Sequence, residues 1–334
     1  MSDGTSLTRA DVEAAYRFIL GRPPESEAAY AYGLSAGSVP ELRRWLMSGE
    51  EFAQRIQRDA PHALRRWMLA EMQAPPAEPD ADGRPRIVFL HIMKTAGSSI
   101  RRRLEELAGE EPIWRREKEG LPGSVPAAEL APYRVVMGHF TIADARHVPQ
   151  PRRIFTVLRD PRARLVSLYH HLARHRAEVV ARPGFRMARI ARESSLEHFL
   201  HQTDPAAQAE LANVMTRTLA GDFVPVGRNR YRHPWQSKAE AISGPELLSR
   251  ALANLFALDF VTSVDRLERD RPRLMAALGL PDPGPLPREN TRELVSDLLE
   301  ARAPPEVTEA AERALHRLTD LDRVLYRLAR QHFG

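Results

Sequence analysis

Six consecutive residues, Lys94-Thr95-Ala96-Gly97-Ser98-Ser99, join an apolar run to a basic, periodic segment. An ammonium, three hydroxyls and a glycine at one joint equip the chain to hold an anion. The glycine permits close approach, the hydroxyls donate, and a helix opening there adds its N–H groups and dipole. Such a loop suits a phosphate or a sulfate. It is not a Walker A loop, in which the lysine follows the last glycine; here Lys94 precedes Gly97. Of 49 basic residues only Lys94, Lys118 and Lys238 are lysines, so arginine is written wherever a bare positive charge serves. A lysine kept in this loop points to a need for a compact ammonium. Arg159 and Ser167, eight residues apart, offer a second pair of anion donors. His139, which follows Gly138, offers an imidazole suited to general-base work near neutral pH. Blander readings stand beside these: a strand-to-helix turn with polar filler, and a histidine that ends a buried strand.

The elements around these residues read as alternating strands and helices. The spacing predicts strands at 86–92, 133–140, 152–158 and 257–264, and helices at about 98–107 and 159–175. Asp160 is the expected N-cap of the second helix, with Pro161 in its first turn. Continuous apolar strands separated by helices predict an α/β fold with a parallel sheet covered on both faces. Strand ends of a parallel sheet share one edge, so the Lys94 loop and Arg159 are expected to face one ligand. From about Arg292 the chain is expected to be helical to its end.

Composition sets the limits. The 334 residues are 43% hydrophobic and 28% charged, which fits a globular chain with more than one core. There is no cysteine, which excludes disulfides and thiolate metal sites. Acids number 44 against 49 bases, and no basic stretch is interleaved with aromatics, which argues against nucleic acid as partner. No apolar run reaches membrane-spanning length and the first residues lack a basic-then-apolar leader, so a soluble, cytoplasmic protein is expected. Residues 8–60 carry helical periodicity (Val12, Ala15, Tyr16, Ile19, Leu20) and a stop at "GRPP", 21–24. The Pro- and Asp-rich stretch at 74–86 reads as a linker. The expected organisation is a helical module over 1–73 and an α/β domain over 87–334.

Several stretches resemble known families. "AYRFILGRPPESEAAYAY…LRRWLMSGEEF" is similar to a small helical module of unknown function that resembles phycobilisome linker repeats. "KTAGSS" resembles the 5′-phosphosulfate loop of carbohydrate sulfotransferases, and "FTVLRDPRARLVSLYHH" their 3′-phosphate motif. "GHF" at 138–140, "NVMTRTLAG" at 213–221 and "DLDRVLYRLARQHF" at 320–333 resemble segments of the heparan sulfate 2-O-sulfotransferase-like branch. This second resemblance covers about residues 86–333.

The resemblance implies a P-loop-like α/β fold and a metal-independent transfer. The donor would be 3′-phosphoadenosine 5′-phosphosulfate (PAPS), leaving 3′-phosphoadenosine 5′-phosphate (PAP), and the acceptor a carbohydrate or glycoconjugate hydroxyl. It implies His139 as base, Lys94 at the leaving oxygen, and Lys94, Thr95, Ala96, Gly97, Ser98, Ser99, Arg159 and Ser167 at the donor. Asn290 and Thr291 of "PRENTRE", with Arg288 beside them, fall where the family closes a loop over the donor. Arg217 is expected to hold donor or acceptor, or to brace the fold. His170 and His171 read as packing or surface residues, and His91 as structural. The alternatives are a P-loop kinase-like phosphotransferase, which would need an acidic metal ligand at a strand end, and a non-catalytic glycan-binding protein of the same fold.

Overall fold

A computed structural model of the chain describes residues 7–20, 22–37, 42, 45–46, 51, 83–227, 229–233, 241–287 and 297–333. The chain forms two compact units, Met1–Gln73 and Ala74–Gly334. In the first, α1 (Arg9–Ile19) starts at a capping box: the Asp11 amide donates to the Thr8 hydroxyl at 3.2 Å, and the Thr8 amide to the Asp11 carboxylate at 2.9 Å. Its apolar stripe, Val12, Tyr16, Ile19 and Leu20, is buried with Ala29 of α2 (Glu27–Leu34), Leu42 and Leu46. Most of the predicted linker lies outside the described residues.

In the second unit the strands are β1 (Arg86–Leu90), β2 (Ile113–Arg115), β3 (Val135–Gly138), β4 (Arg152–Leu158), β5 (Val224–Gly227), β6 (Arg230–Arg232), β7 (Ile242–Ser243) and β8 (Phe260–Ser263). β2-β3-β1-β4-β8 form one sheet in that order, every pairing parallel. The expected α/β architecture is therefore present. Strand alternation sends Ile87, Phe89, Val135, Met137, Phe155 and Val157 to one face, against Ile100 and Leu104 of α3 (Gly97–Ala108) and Leu274 and Leu278 of α5 (Leu267–Leu278). A second apolar cluster forms around Leu165, Leu168 and Tyr169 of α4 (Pro161–Ala173). From β1 the chain crosses toward β2 and β3, and from β4 it crosses the other way, to β8. That reversal opens a crevice outside the carboxyl ends of β1 and β4. The loops with Lys94 and Arg159 leave from those two ends.

Three features differ from the sequence expectation. β2 is an extra edge strand, only three residues long. β5-β6-β7 form a small antiparallel sheet in a region that offers no strand alternation. The chain is not continuously helical after Arg292: residues 297–308 are not helical, and helices resume at α6 (Glu309–Leu318) and α7 (Asp320–Phe333). Pro304 and Pro305 forbid helix there. The backbone before them pairs with the end of α4 instead, Arg176 N donating to Leu298 O at 3.0 Å and Glu300 N to Arg174 O at 2.9 Å.

The segments "NVMTR" and "DLDRVLY" meet as two helix N-termini that cap each other. Asn213, at φ 46°, accepts from the amides of Leu321 and Asp322 at 3.0 and 3.1 Å. Asp322 accepts from the amides of Met215 and Thr216 at 3.2 and 2.8 Å and from the Thr216 hydroxyl at 2.7 Å. Arg217 donates to the carbonyls of Ala212, Phe223 and Ala209, through Nε, Nη1 and Nη2 respectively. Of the roles the sequence left open for Arg217, bracing is the one its hydrogen bonds occupy. Asn213→Ala is expected to cost about 2–4 kcal/mol in denaturant unfolding, because it orphans two buried amides and places Ala at positive φ.

Candidate active site

β1 is wholly buried and ends at Leu90, after which the backbone turns left-handed twice, φ 70° at Lys94 and 64° at Ala96. Neither residue is glycine, and each such position costs on the order of 1–3 kcal/mol, so the surrounding structure holds the loop. Part of that hold is Thr95, fully buried, whose hydroxyl donates to Ile92 O at 2.7 Å. Its proton is committed to the loop, and it is no hydroxyl donor to a ligand as the sequence suggested. Ala96 takes the N-cap position of α3 with no side-chain cap, and Ser98 and Ser99 lie half-buried in its first turn.

Gly97 has a role beyond close approach. A Cβ there would lie 1.6 Å from His91 Nε2, so glycine lets the His91 ring pack under the start of α3. His91 continues a ring stack that begins in the core: Phe155 on Phe89 at 4.8 Å, Phe89 on His91 at 5.1 Å, His91 on His139 at 4.1 Å. Burial, and then the charges of His139, Arg101 and Lys94, hold His91 well below its usual pKa. It is a neutral structural ring.

His139 sits at the end of β3, half-buried. Gly138 before it has φ 147°, and a Cβ there would meet the Arg116 Cβ at 2.4 Å, so only glycine fits. His139 Nδ1 lies 2.8 Å from the carbonyl oxygen of His91. A carbonyl only accepts, so Nδ1 carries the proton and Nε2 keeps its lone pair. Burial lowers the pKa of His139, the contact with the His91 carbonyl and Glu117 oppose that, and Arg116 and Arg101 reinforce it. The ring is a neutral acceptor at pH 7.

Arg159 follows β4, where its Nη1 donates to Lys94 O at 3.1 Å and ties the two loops together. Asp160 caps α4, accepting the Ala163 amide at 2.8 Å, as the sequence predicts. Burial, then the charges of Arg159 and Arg174, lower the Lys94 ammonium to about 8. On α4, positions 164, 167, 171 and 174 fall on one stripe at helical spacing. His171 reads from the sequence as a packing or surface residue; burial, then the charge of Lys94, push it down to about 3. His170 does pack, its Nε2 3.0 Å from Arg302 O. Arg164 and Arg174 were also missed, although the stripe that carries Ser167 contains them. Arg288, Asn290 and Thr291 lie outside the described residues.

Lys94, Arg159 and His139 thus follow the carboxyl ends of three adjacent strands, β1, β4 and β3, and Ser167 lies on α4, the helix that follows Arg159. Among the described residues no three His, Asp or Glu side chains group as metal ligands would, and no helix is long and apolar enough to cross a membrane. Residues 80–333, about three quarters of the chain, match the family model described as "Sulfotransferase family". A comparison with curated proteins finds no match.

Proposed function

The chain belongs to the sulfotransferase family and so to proteins that transfer sulfuryl groups; from that premise we propose that it moves a sulfuryl group from PAPS to a carbohydrate or glycoconjugate hydroxyl. The observation that carries this reading is the Arg159–Lys94 hydrogen bond, which ties together the two loops that leave β1 and β4 at the sheet's switch point. One ligand phosphorylated at two separated places fits that pairing. The left-handed kinks at Lys94 and Ala96 and the uncapped start of α3 suit its 5′ side, and Arg159 with Ser167 suits its 3′-phosphate.

The donor, when bound, supplies a sulfuryl group on a phosphate leaving group. The protein's part is then positioning and charge stabilisation. Lys94 brings a compact, partly buried ammonium to the leaving oxygen. His139 takes the acceptor's proton on Nε2 as the acceptor oxygen forms its bond to sulfur; the Nδ1–H bond to His91 O fixes the ring for that task. Burial, reinforced by the charges of Arg116 and Arg101, lowers its pKa and favours the deprotonated ring.

Calorimetry tests the donor. PAP is expected to bind equally with and without magnesium, and better than ATP with magnesium; the reverse order would favour a phosphotransferase. Arg159→Ala is expected to weaken PAP binding by about 1.5–3 kcal/mol, the worth of hydrogen bonds to a charged group. Its preference for PAP over adenosine 5′-phosphate should shrink equally. A mutant that discriminates as wild type does would remove Arg159 from the 3′-phosphate.

A further inference from the structure

The most unusual group near the site is one that no solvent reaches. Arg164, in the second turn of α4, is 0% exposed, and its Nε, Nη1 and Nη2 have no hydrogen-bond partner among the described residues. Three other buried arginines donate to carbonyls, and among the described residues only Arg164 leaves all three of its guanidinium nitrogens without a partner. Arg86 donates to Ala131 O at 3.0 and 2.7 Å, Arg152 to Val148 O at 2.7 Å, and Arg217 to three carbonyls. Buried charges are ordinarily paired and hydrogen-bonded, because removing an ion from water costs several kcal/mol.

Two charges bear on Arg164. Asp322 favours its charged form and Arg159 opposes it. Asp322 is itself fully buried, and its carboxylate already accepts from Met215 N, Thr216 N and the Thr216 hydroxyl. It supplies countercharge to Arg164 and no hydrogen bond. Arg164 also sits between Arg159 and Ser167 in sequence, three residues before Ser167 and on its stripe of the helix. Arg159 and Arg174 in turn act on Lys94, so the charges linked to Arg164 through Arg159 are cationic.

We infer that Arg164 is a positioning residue for the anion site at Arg159 and Ser167: its buried, incompletely balanced charge is answered by a dianionic phosphate bound there. Its side chain has no exposure, so it acts through the field and through α4, not by touching the ligand. The inference rests on the proposed donor and adds a charge that this site uses at one remove. It also gives the mutual caps of Asn213 and Asp322 a second consequence, since they hold the one buried carboxylate that partners Arg164.

The experiment compares PAP with adenosine 5′-phosphate, which lacks the 3′-phosphate, by calorimetry on full-length protein, and records ligand-free melting in parallel. Wild type is expected to prefer PAP; absence of that preference would overturn the donor assignment itself. Arg164→Met should cut the preference by about tenfold or more, while Arg164→Lys, which keeps the charge, should hold it within about threefold. Should Arg164→Met not fold, the paired variant Arg164→Met with Asp322→Asn leaves neither charge buried alone, and the same criterion applies. A folded neutral variant that melts lower yet keeps the full preference would overturn the inference, leaving Arg164 a packing residue. So would an Arg164→Lys variant that loses the preference as completely as methionine does.

Discussion

His139→Ala is expected to lower turnover by roughly 10²–10⁴-fold while PAP affinity stays near wild type. The base works on the acceptor, and the donor-side residues, Lys94, Arg159 and Ser167, remain in place. Alanine also removes the ring contact with His91 and the hydrogen bond to its carbonyl, so a structural loss must be separated from a chemical one. His139→Asn does this, because an asparagine amide can donate to the His91 carbonyl while offering no base. Loss of turnover in both variants, with PAP binding intact in both, assigns the chemistry to Nε2. Full turnover in His139→Asn would remove the histidine from the mechanism. The pH profile adds a second reading. The folded pKa lies below the ordinary 6.5, so the neutral base is already present at pH 6.5 and the acid limb of kcat/KM falls below that value.

Much of the main unit was legible because its signals are local. β1 and β4 are unbroken apolar runs, and the Lys94 loop and the Asp160-Pro161 helix start are each a few residues long. β2 escaped notice because "IWR" at 113–115 is too short for a pattern, and it becomes a strand only by pairing with β3. Residues 297–308 escaped for a related reason: the backbone partners of Leu298 and Glu300 lie just past the end of α4, more than a hundred residues earlier. The same separation hid the meaning of "NVMTR" and "DLDRVLY". Each resembles a signature by itself, but the reason for both, mutual capping of two helix starts, exists only in three dimensions. Arg217 is a different case: its three carbonyl partners lie only five to eight residues away, yet no residue pattern announces a side chain that turns back onto its own backbone.

The site divides along the same line. Lys94, Arg159 and Ser167 announce themselves by spacing, whereas Arg164, His171 and Arg174 need the helix they share. The single tautomer of His139 needs a carbonyl 48 residues away in sequence. What recognises the acceptor was not legible, since such surfaces belong to loops with no pattern of their own.

Lys94→Ala is expected to lower turnover by about 10²–10³-fold, the usual cost of removing one preorganised donor from a developing charge. It should weaken PAP binding too, because the ammonium meets the donor before reaction; this distinguishes it from His139→Ala. Its backbone complicates the reading, since Lys94 stands at φ 70°, where a side chain costs conformational energy. Lys94→Gly relieves that cost and removes the charge. If both variants lose turnover alike, the ammonium is responsible; if glycine restores it, the lysine served only the loop. The altered pKa supplies the sharper test. Burial and the neighbouring Arg159 and Arg174 bring Lys94 down to about 8, so its cationic form dominates below that pH and is lost above it. In free enzyme, kcat/KM should therefore fall on the alkaline side with a midpoint near 8, and this limb should vanish in Lys94→Ala. A bound polyanion stabilises the ammonium, so the corresponding limb of kcat should lie higher. An alkaline limb that persists unchanged in Lys94→Ala would assign it to another group and leave Lys94 without its charge-stabilising part.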